Sequence, residues 1–160
     1  MTTGQFMYTH EGKWMKVFGP DDNDALSLLK AHVDIRFVTG DRLGFPITKK
    51  RIVDDMKYPL DLVSTTHRIH WIRDRWDPLD VIYMGDGIFD CFVAREVGYA
   101  LAPSNACALM RQAAHHVTTC HGGNRAVAEA CLHILQRFFQ PFEGVPKDQP
   151  IIQSSNEWTA

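Results

Sequence analysis

The segment Val81-Ile82-Tyr83-Met84-Gly85-Asp86-Gly87-Ile88-Phe89-Asp90 decides how the chain is read. Its first four residues form an apolar run too short for a helix and rich in residues that suit a pleated surface. Glycines at two of the next three positions end it. Asp86 then falls at the carboxyl end of a strand, with Asp90 one turn further on, at the edge of an open α/β sheet where ligands bind. Two carboxylates at this spacing on a glycine-loosened turn suit a hard cation such as Mg²⁺, which takes oxygen ligands. The plainer alternative is an ordinary strand-to-helix turn in which Asp86 caps the helix, so the rest of the chain has to arbitrate.

Composition narrows the class. A chain of 160 residues with 45% hydrophobic and 22% charged residues matches one ordinary globular domain with a proper core. A net charge of −2 and a pI near 6.4 give no general attraction to nucleic acid or an anionic membrane. Lys49-Lys50-Arg51 is the one basic cluster, and such a triplet reads as a solvated helix face. No apolar run approaches the roughly 20 residues of a membrane span, and MTTGQFMYTHEGK lacks a signal pattern. Cys91, Cys107, Cys120 and Cys131 are widely spaced, which predicts reduced thiols in a cytoplasmic protein and gives no support for zinc.

In chain order, residues 5–18 predict a β-hairpin about His10-Glu11-Gly12-Lys13, with Phe6, Tyr8, Trp14 and Phe18 on its arms. These are more large apolar groups than a small hairpin buries by itself, which points to a subunit interface. Asp21, Asp22 and Asp24 precede ALSLLKAH and read as the acidic start of a helix, with capping as their simplest role. Residues 34–41 predict a strand ending in Thr39-Gly40, where a hydroxyl and backbone N–H groups suit an anion, although a plain turn fits as well. A helix is expected over 47–56 and a strand over 58–63. Ser64-Thr65-Thr66 then caps a helix carrying His67, Arg68 and His70. The His pair reads as surface, and His133 as structural. Further helices are expected over 91–97, 106–114 and 126–139, with short extended pieces at 98–103 and 116–119. The alternation predicts a Rossmann-like α/β fold, a parallel sheet flanked by helices, over residues 1–139, followed by an extended tail over 140–160. Thr39-Gly40, Ser64-Thr65-Thr66 and Gly85-Asp86-Gly87 would all open onto one edge of that sheet.

On these motifs the chain resembles the haloacid dehalogenase superfamily, specifically its capless branch of sugar-acid phosphatases, which includes 3-deoxy-manno-octulosonate 8-phosphate phosphatase. The resemblance covers about residues 2–139. Phe37-Val38-Thr39-Gly40 is similar to the second motif, which binds the phosphoryl group, and Gly85-Asp86-Gly87-Ile88-Phe89-Asp90 to the fourth, whose acidic pair holds Mg²⁺. Val97-Gly98-Tyr99-Ala100-Leu101-Ala102, Ala113-Ala114-His115-His116-Val117-Thr118 and Gly122-Gly123-Asn124-Arg125-Ala126-Val127 match its closing pattern. The resemblance implies a Mg²⁺-dependent phosphatase acting on a phosphorylated sugar acid, with Asp86 and Asp90 on the metal and Thr39, Gly40 and Arg68 around the phosphoryl group. It also implies a homo-tetramer built by the N-terminal hairpin, with Asp22 shaping the entrance.

Two departures accompany it. The first motif, Asp-x-Asp-Gly, would fall just before Thr2-Thr3-Gly4, so neither the aspartate nucleophile nor the aspartate acid/base is present. The third-motif Lys has no counterpart near Ser64-Thr65-Thr66, where Arg68 is the nearest cation. Without a nucleophile the covalent route is closed. Loss of the first strand from mid-sheet would leave two rows of unpaired backbone groups. The expectations are therefore a start upstream of Met1, or a substitute strand such as Pro150-Ile151-Ile152-Gln153-Ser154 or one from a neighbouring subunit. Two functions stay open, an impaired phosphatase and a non-catalytic oligomeric protein that keeps the fold. Nucleic-acid binding has no basic, aromatic-interleaved face behind it.

Overall fold

A computed structural model of the protein describes residues 1–144, and both the greater part of the expected tail and Pro150–Ser154 lie outside the described residues. The hairpin consists of β1 (Met7–Thr9) and β2 (Gly12–Met15), antiparallel, with Thr9 opposite Gly12. There follow α1 (Asp22–Leu29), β3 (Phe37–Thr39) and α2 (Phe45–Lys49), which runs directly into a π-helical turn over Lys50–Asp55. The helix expected over 47–56 thus begins earlier and widens midway. Next come β4 (Leu60–Leu62), α3 (Arg68–Arg73), β5 (Ile82–Met84) and α4 (Asp90–Ala94). The chain closes with β6 (Tyr99–Ala102), α5 (Ala108–Ala113), β7 (His116–Val117) and α6 (Ala126–Phe138).

Every strand pair after the hairpin is parallel, β3 with β4 and β5 with β6 with β7. The two groups do not hydrogen-bond to one another among the described residues, so the sheet is divided between β3 and β5. Period-two alternation sorts each strand between two apolar layers. Phe37, Ile82, Met84 and Leu101 face a cluster built on Leu26 and Leu29 of α1 and Cys131, Ile134 and Leu135 of α6. Val38, Tyr83, Ala100 and Ala102 face a second cluster with Ile69 and Ile72 of α3, Val93 of α4 and Met110 of α5. A strand buried on both faces needs apolar residues at successive positions, which is why Ile82-Tyr83-Met84 reads as a continuous run.

Helices α1 and α6 are locked together at their starts. Asp21 and Arg125 both adopt left-handed backbone (φ 63° and 65°), a conformation that costs roughly 1–2 kcal/mol in a non-glycine residue, and their side chains pair with each other. Asp21 makes no side-chain cap hydrogen bond, so the capping role expected from sequence is replaced by this cross-link. Asp22, rather than shaping an entrance, is fully buried. It accepts the N–H of Ala128 (3.1 Å) and faces the Met1 ammonium at 3.3 Å. Gly123, at φ 76°, lets the N-terminal segment pass, because a Cβ there would lie 2.6 Å from Thr3 N.

The four cysteines are free, with Cys91 and Cys131 buried. No described helix is long and apolar enough to cross a membrane. His133 is structural as expected: it hydrogen-bonds the Tyr99 hydroxyl (2.9 Å) and stacks on His116 with ring centroids 3.7 Å apart.

Two outcomes follow from this packing. Asp22→Ala strands the Ala128 N–H and removes the carboxylate that faces the partly buried Met1 ammonium, a loss of about 2 kcal/mol, or roughly 4–8 °C in Tm. An unchanged melting temperature would contradict the role given to Asp22. Burial, then His116 and Arg137, hold the His133 imidazole below its usual value. The unfolded chain therefore binds that proton more readily. His133 stability is full above about pH 6.5 and is lost as pH falls from there through the lower folded value. His133→Gln should flatten this limb in melts taken between pH 8 and 5.

Candidate active site at the strand ends

The expected convergence is present: Thr39, Gly40, Thr65, Arg68, Gly85, Asp86 and Asp90 all line one cavity of about 860 Å³. Each arrives there for a local reason. Thr39 closes β3, and its Oγ1 accepts the Asp41 N–H (3.2 Å), leaving its own hydroxyl proton to donate. Gly40 lets the β3 and β4 exits approach, since a Cβ would stand 3.1 Å from Thr65 Cγ2. The Ser64–Thr66 cluster forms a 3-10 turn, Thr65–His67, with no side-chain cap bond, and this turn delivers Arg68 to the first position of α3. His67 and His70 stay exposed, with ring centroids 6.3 Å apart.

The expected roles of the two aspartates separate. Asp90, buried at the start of α4, is saturated with donors. Its Oδ1 accepts from Arg68 Nη1 (2.5 Å) and Tyr83 OH (2.6 Å), and its Oδ2 accepts from the N–H groups of Asp86 (3.0 Å) and Gly87 (2.8 Å). Gly85 is required for this closure, because a Cβ there would lie 2.6 Å from Asp90 Cγ. Burial raises the Tyr83 hydroxyl well above the ordinary phenol range, with Asp90 adding to the effect, so it acts as a proton donor at any working pH. Arg68 Nη1 also donates to Tyr83 OH (2.9 Å), while Arg68 Nε is buried without a partner among the described residues. Burial opposes the guanidinium charge, but Tyr83 and Asp90 outweigh it and the pKa is raised.

Asp86 is in the opposite situation. Its carboxyl makes no ion pair among the described residues, and burial followed by repulsion from Asp90 pushes its pKa up. Asp86 is exposed at the cavity, and the terminal ammonium and Arg68 offset its charge only in part, so it is the carboxylate whose repulsion from Asp90 a cation would relieve. No group of three His, Cys, Asp or Glu is arranged to hold a metal among the described residues. Magnesium keeps several waters and takes one or two carboxylates plus phosphate oxygens, so Asp86 fits as a ligand. Asp90 fits only if it gives up donors it already holds.

A second charged cluster lies beside Thr39 that sequence reasoning missed. Asp41 Oδ2 accepts from Lys13 Nζ (2.6 Å) and pairs with Lys16 Nζ (2.8 Å), both lysines being nearly buried. Burial raises the Asp41 pKa, but the lysines and the Gly44 N–H outweigh it and hold it at about 2. Two cations against one carboxylate leave net positive charge at the wall, and Lys16 also donates to Thr48 (2.6 Å). In the sequence, Lys13 and Lys16 look like hairpin surface; only the fold brings them to Asp41.

The Asp90 network makes a graded prediction. Tyr83→Phe removes two hydrogen bonds and should cost about 1–3 kcal/mol. Asp90→Asn leaves a buried guanidinium without its counter-charge and should cost about 3–5 kcal/mol. Denaturant unfolding checks the order, and equal losses would contradict the account.

No protein-family profile matches the chain. Across 148 residues it is 27% identical to the 3-deoxy-D-manno-octulosonate 8-phosphate phosphatase of Yersinia pestis, spanning 84% of this chain and 74% of that protein. Its fold matches the Moraxella catarrhalis enzyme of that name, solved in complex with magnesium, phosphate and KDO. The TM-score is 0.69 at 25% identity, over 84% of this chain and 79% of that one. It also matches the cobalt-bound Haemophilus influenzae protein, with a TM-score of 0.73 at 24% identity, over 84% and 81%. Strand order, the two glycine-flanked strand ends and these likenesses together show that the chain has the fold of haloacid dehalogenase family hydrolases and is similar to the 3-deoxy-D-manno-octulosonate 8-phosphate phosphatases.

Proposed function

We propose that this protein is a Mg²⁺-dependent phosphatase-type protein for a phosphorylated sugar acid of the 3-deoxy-manno-octulosonate 8-phosphate class. Hydrolysis would require an aspartate nucleophile delivered to the head of the division between β3 and β5. The observation that carries the reading is the convergence of Thr39, Arg68 and Asp86 on one cavity. In this assignment the Thr39 hydroxyl and the Gly40 backbone receive the phosphoryl oxygens. Arg68, whose Nε is buried and has no partner among the described residues, supplies the positive charge that a third-motif Lys would otherwise give. Asp86 holds the cation, and Asp90 orients Arg68 and the 85–87 loop unless it rearranges to join Asp86. The metal, when bound, would neutralise charge on the phosphoryl group.

The hairpin supports an oligomer, the homo-tetramer implied by resemblance. Phe6, Tyr8 and Trp14 are 52%, 61% and 59% exposed, the kind of apolar surface that a second subunit covers. A cytoplasmic setting goes with the free thiols.

A second reading, a non-catalytic binding protein that keeps the fold, is favoured by one observation: Asp90 is already fully engaged by Arg68, Tyr83 and the loop. Phosphate release from sugar-acid phosphates with Mg²⁺ separates the two. Release abolished by Asp86→Asn supports the enzyme. No release at high protein loading, with calorimetric Mg²⁺ binding that Asp86→Asn removes, supports the binding protein. A flat Mg²⁺ titration of the wild-type chain would sink the metal assignment in both.

A further inference from the structure

Lys16 carries a charge that its protein neighbours balance only in part. Its side chain is 7% exposed, and a lysine ammonium has three N–H donors to place. One donates to Thr48 Oγ1 (2.6 Å), and another faces Asp41 Oδ2 (2.8 Å). The third has no acceptor among the described residues. Asp41 has nothing further to give: the same Oδ2 accepts from Lys13 Nζ (2.6 Å), and Oδ1 accepts the Gly44 N–H (3.0 Å). Neither lysine forms another ion pair among the described residues. Two ammonium groups share one carboxylate oxygen and repel each other at short range with little water to screen them.

The two lysines face different surroundings. Lys13 Nζ lies 3.5 Å from the centroid of the Phe6 ring, and of the pair only Lys16 lines the cavity, beside Thr39, Gly40 and Thr48. Thr39 Oγ1 accepts the Asp41 N–H (3.2 Å), and Asp41 reaches Lys16. Two contacts and one residue's length therefore put Lys16 Nζ within ~10 Å of the Thr39 hydroxyl. A ligand with its phosphoryl group at Thr39 and a second anionic group several carbons away can touch both.

We propose that Lys16 is a specificity-determining residue that takes the carboxylate of the sugar acid and so separates phosphorylated acids from neutral sugar phosphates. The inference rests on the reading of Thr39 and Arg68 as the phosphoryl end of the site. Charge count selects a carboxylate: Asp41 leaves one net positive charge, which a single carboxylate balances and a phosphate dianion exceeds. Asp41 and Thr48 already hold the ammonium in place, so ligand binding immobilises no new long side chain. Lys13 acts as a positioning residue, because its claim on Asp41 keeps that carboxylate from neutralising Lys16 alone.

Calorimetry on the full chain with Mg²⁺ present tests this with inorganic phosphate and a matched pair, 6-phosphogluconate and glucitol 6-phosphate. The pair differs only in a carboxylate against a hydroxymethyl group. The wild type should bind the acid roughly ten- to a hundred-fold more tightly than the alcohol, the range for a charge-assisted hydrogen bond. Lys16→Met should erase that preference and weaken inorganic phosphate by less than about threefold, the effect of a screened charge acting at a distance. Lys16→Arg keeps a cation and should keep most of the preference. Equal binding of acid and alcohol by the wild type would overturn the proposal while leaving the phosphoryl assignment intact, and that comparison needs no variant. A loss in Lys16→Met shared equally by phosphate and acid would also overturn it, placing Lys16 at the phosphoryl group. A wild-type chain that binds no inorganic phosphate would overturn the phosphoryl assignment itself, and the proposal with it.

Discussion

The structure around the strand ends depends on the Asp90 carboxylate. It is one buried group accepting four hydrogen bonds, from a guanidinium on α3, a phenol on β5 and two N–H groups of the loop between β5 and α4. A buried carboxylate is tolerated only when it is paired and fully hydrogen-bonded, and the four donors here come from three elements, α3, β5 and the loop after β5. The bonds that satisfy Asp90 therefore also fix the first turn of α3, the exit of β5 and the spacing of Asp86. Saturation of Asp90 leaves Asp86 as the carboxylate with charge to spare, and burial with that neighbour raises its pKa. One residue organises the strand ends, and the other is the one proposed to hold the cation.

Charge balance extends this division across the cavity. On the β3 side Lys13 and Lys16 outnumber Asp41, and Thr39 keeps a hydroxyl proton to donate. On the β5 side Asp86 carries negative charge that the terminal ammonium and Arg68 offset only in part. An anion beside Thr39 and Arg68 and a cation on Asp86 would each be drawn to its own wall, and each would strengthen the other's binding at short range in a partly desolvated site. The hairpin takes part in this arrangement: it brings Lys16 to the cavity wall and Lys13 to Asp41, while Tyr8 and Trp14 stay exposed.

Much of this was legible in the sequence, because strand period, glycine position and terminal polar residues are local signals. Ile82-Tyr83-Met84 followed by Gly85-Asp86-Gly87 announced a strand and the turn that ends it. Phe37-Val38-Thr39-Gly40 did the same, and both fall where expected. What the sequence hid were pairings over long separations. Asp22 reads as a cap residue because its partner Ala128 is 106 positions away. Asp21 and Arg125 look like ordinary turn residues until the fold sets their left-handed backbones side by side. Asp90 reads as a metal ligand from its spacing to Asp86 alone. Its commitment to Arg68 and Tyr83 depends on how α3 packs against β5, which no local pattern encodes.

The most direct test of the site is a crystal structure of the full chain determined with Mg²⁺ and inorganic phosphate. The account predicts the cation on Asp86, with the phosphate between the Thr39 hydroxyl and Arg68. A cavity that stays free of both ions at millimolar concentration, or a phosphate held away from Thr39 and Arg68, would contradict it.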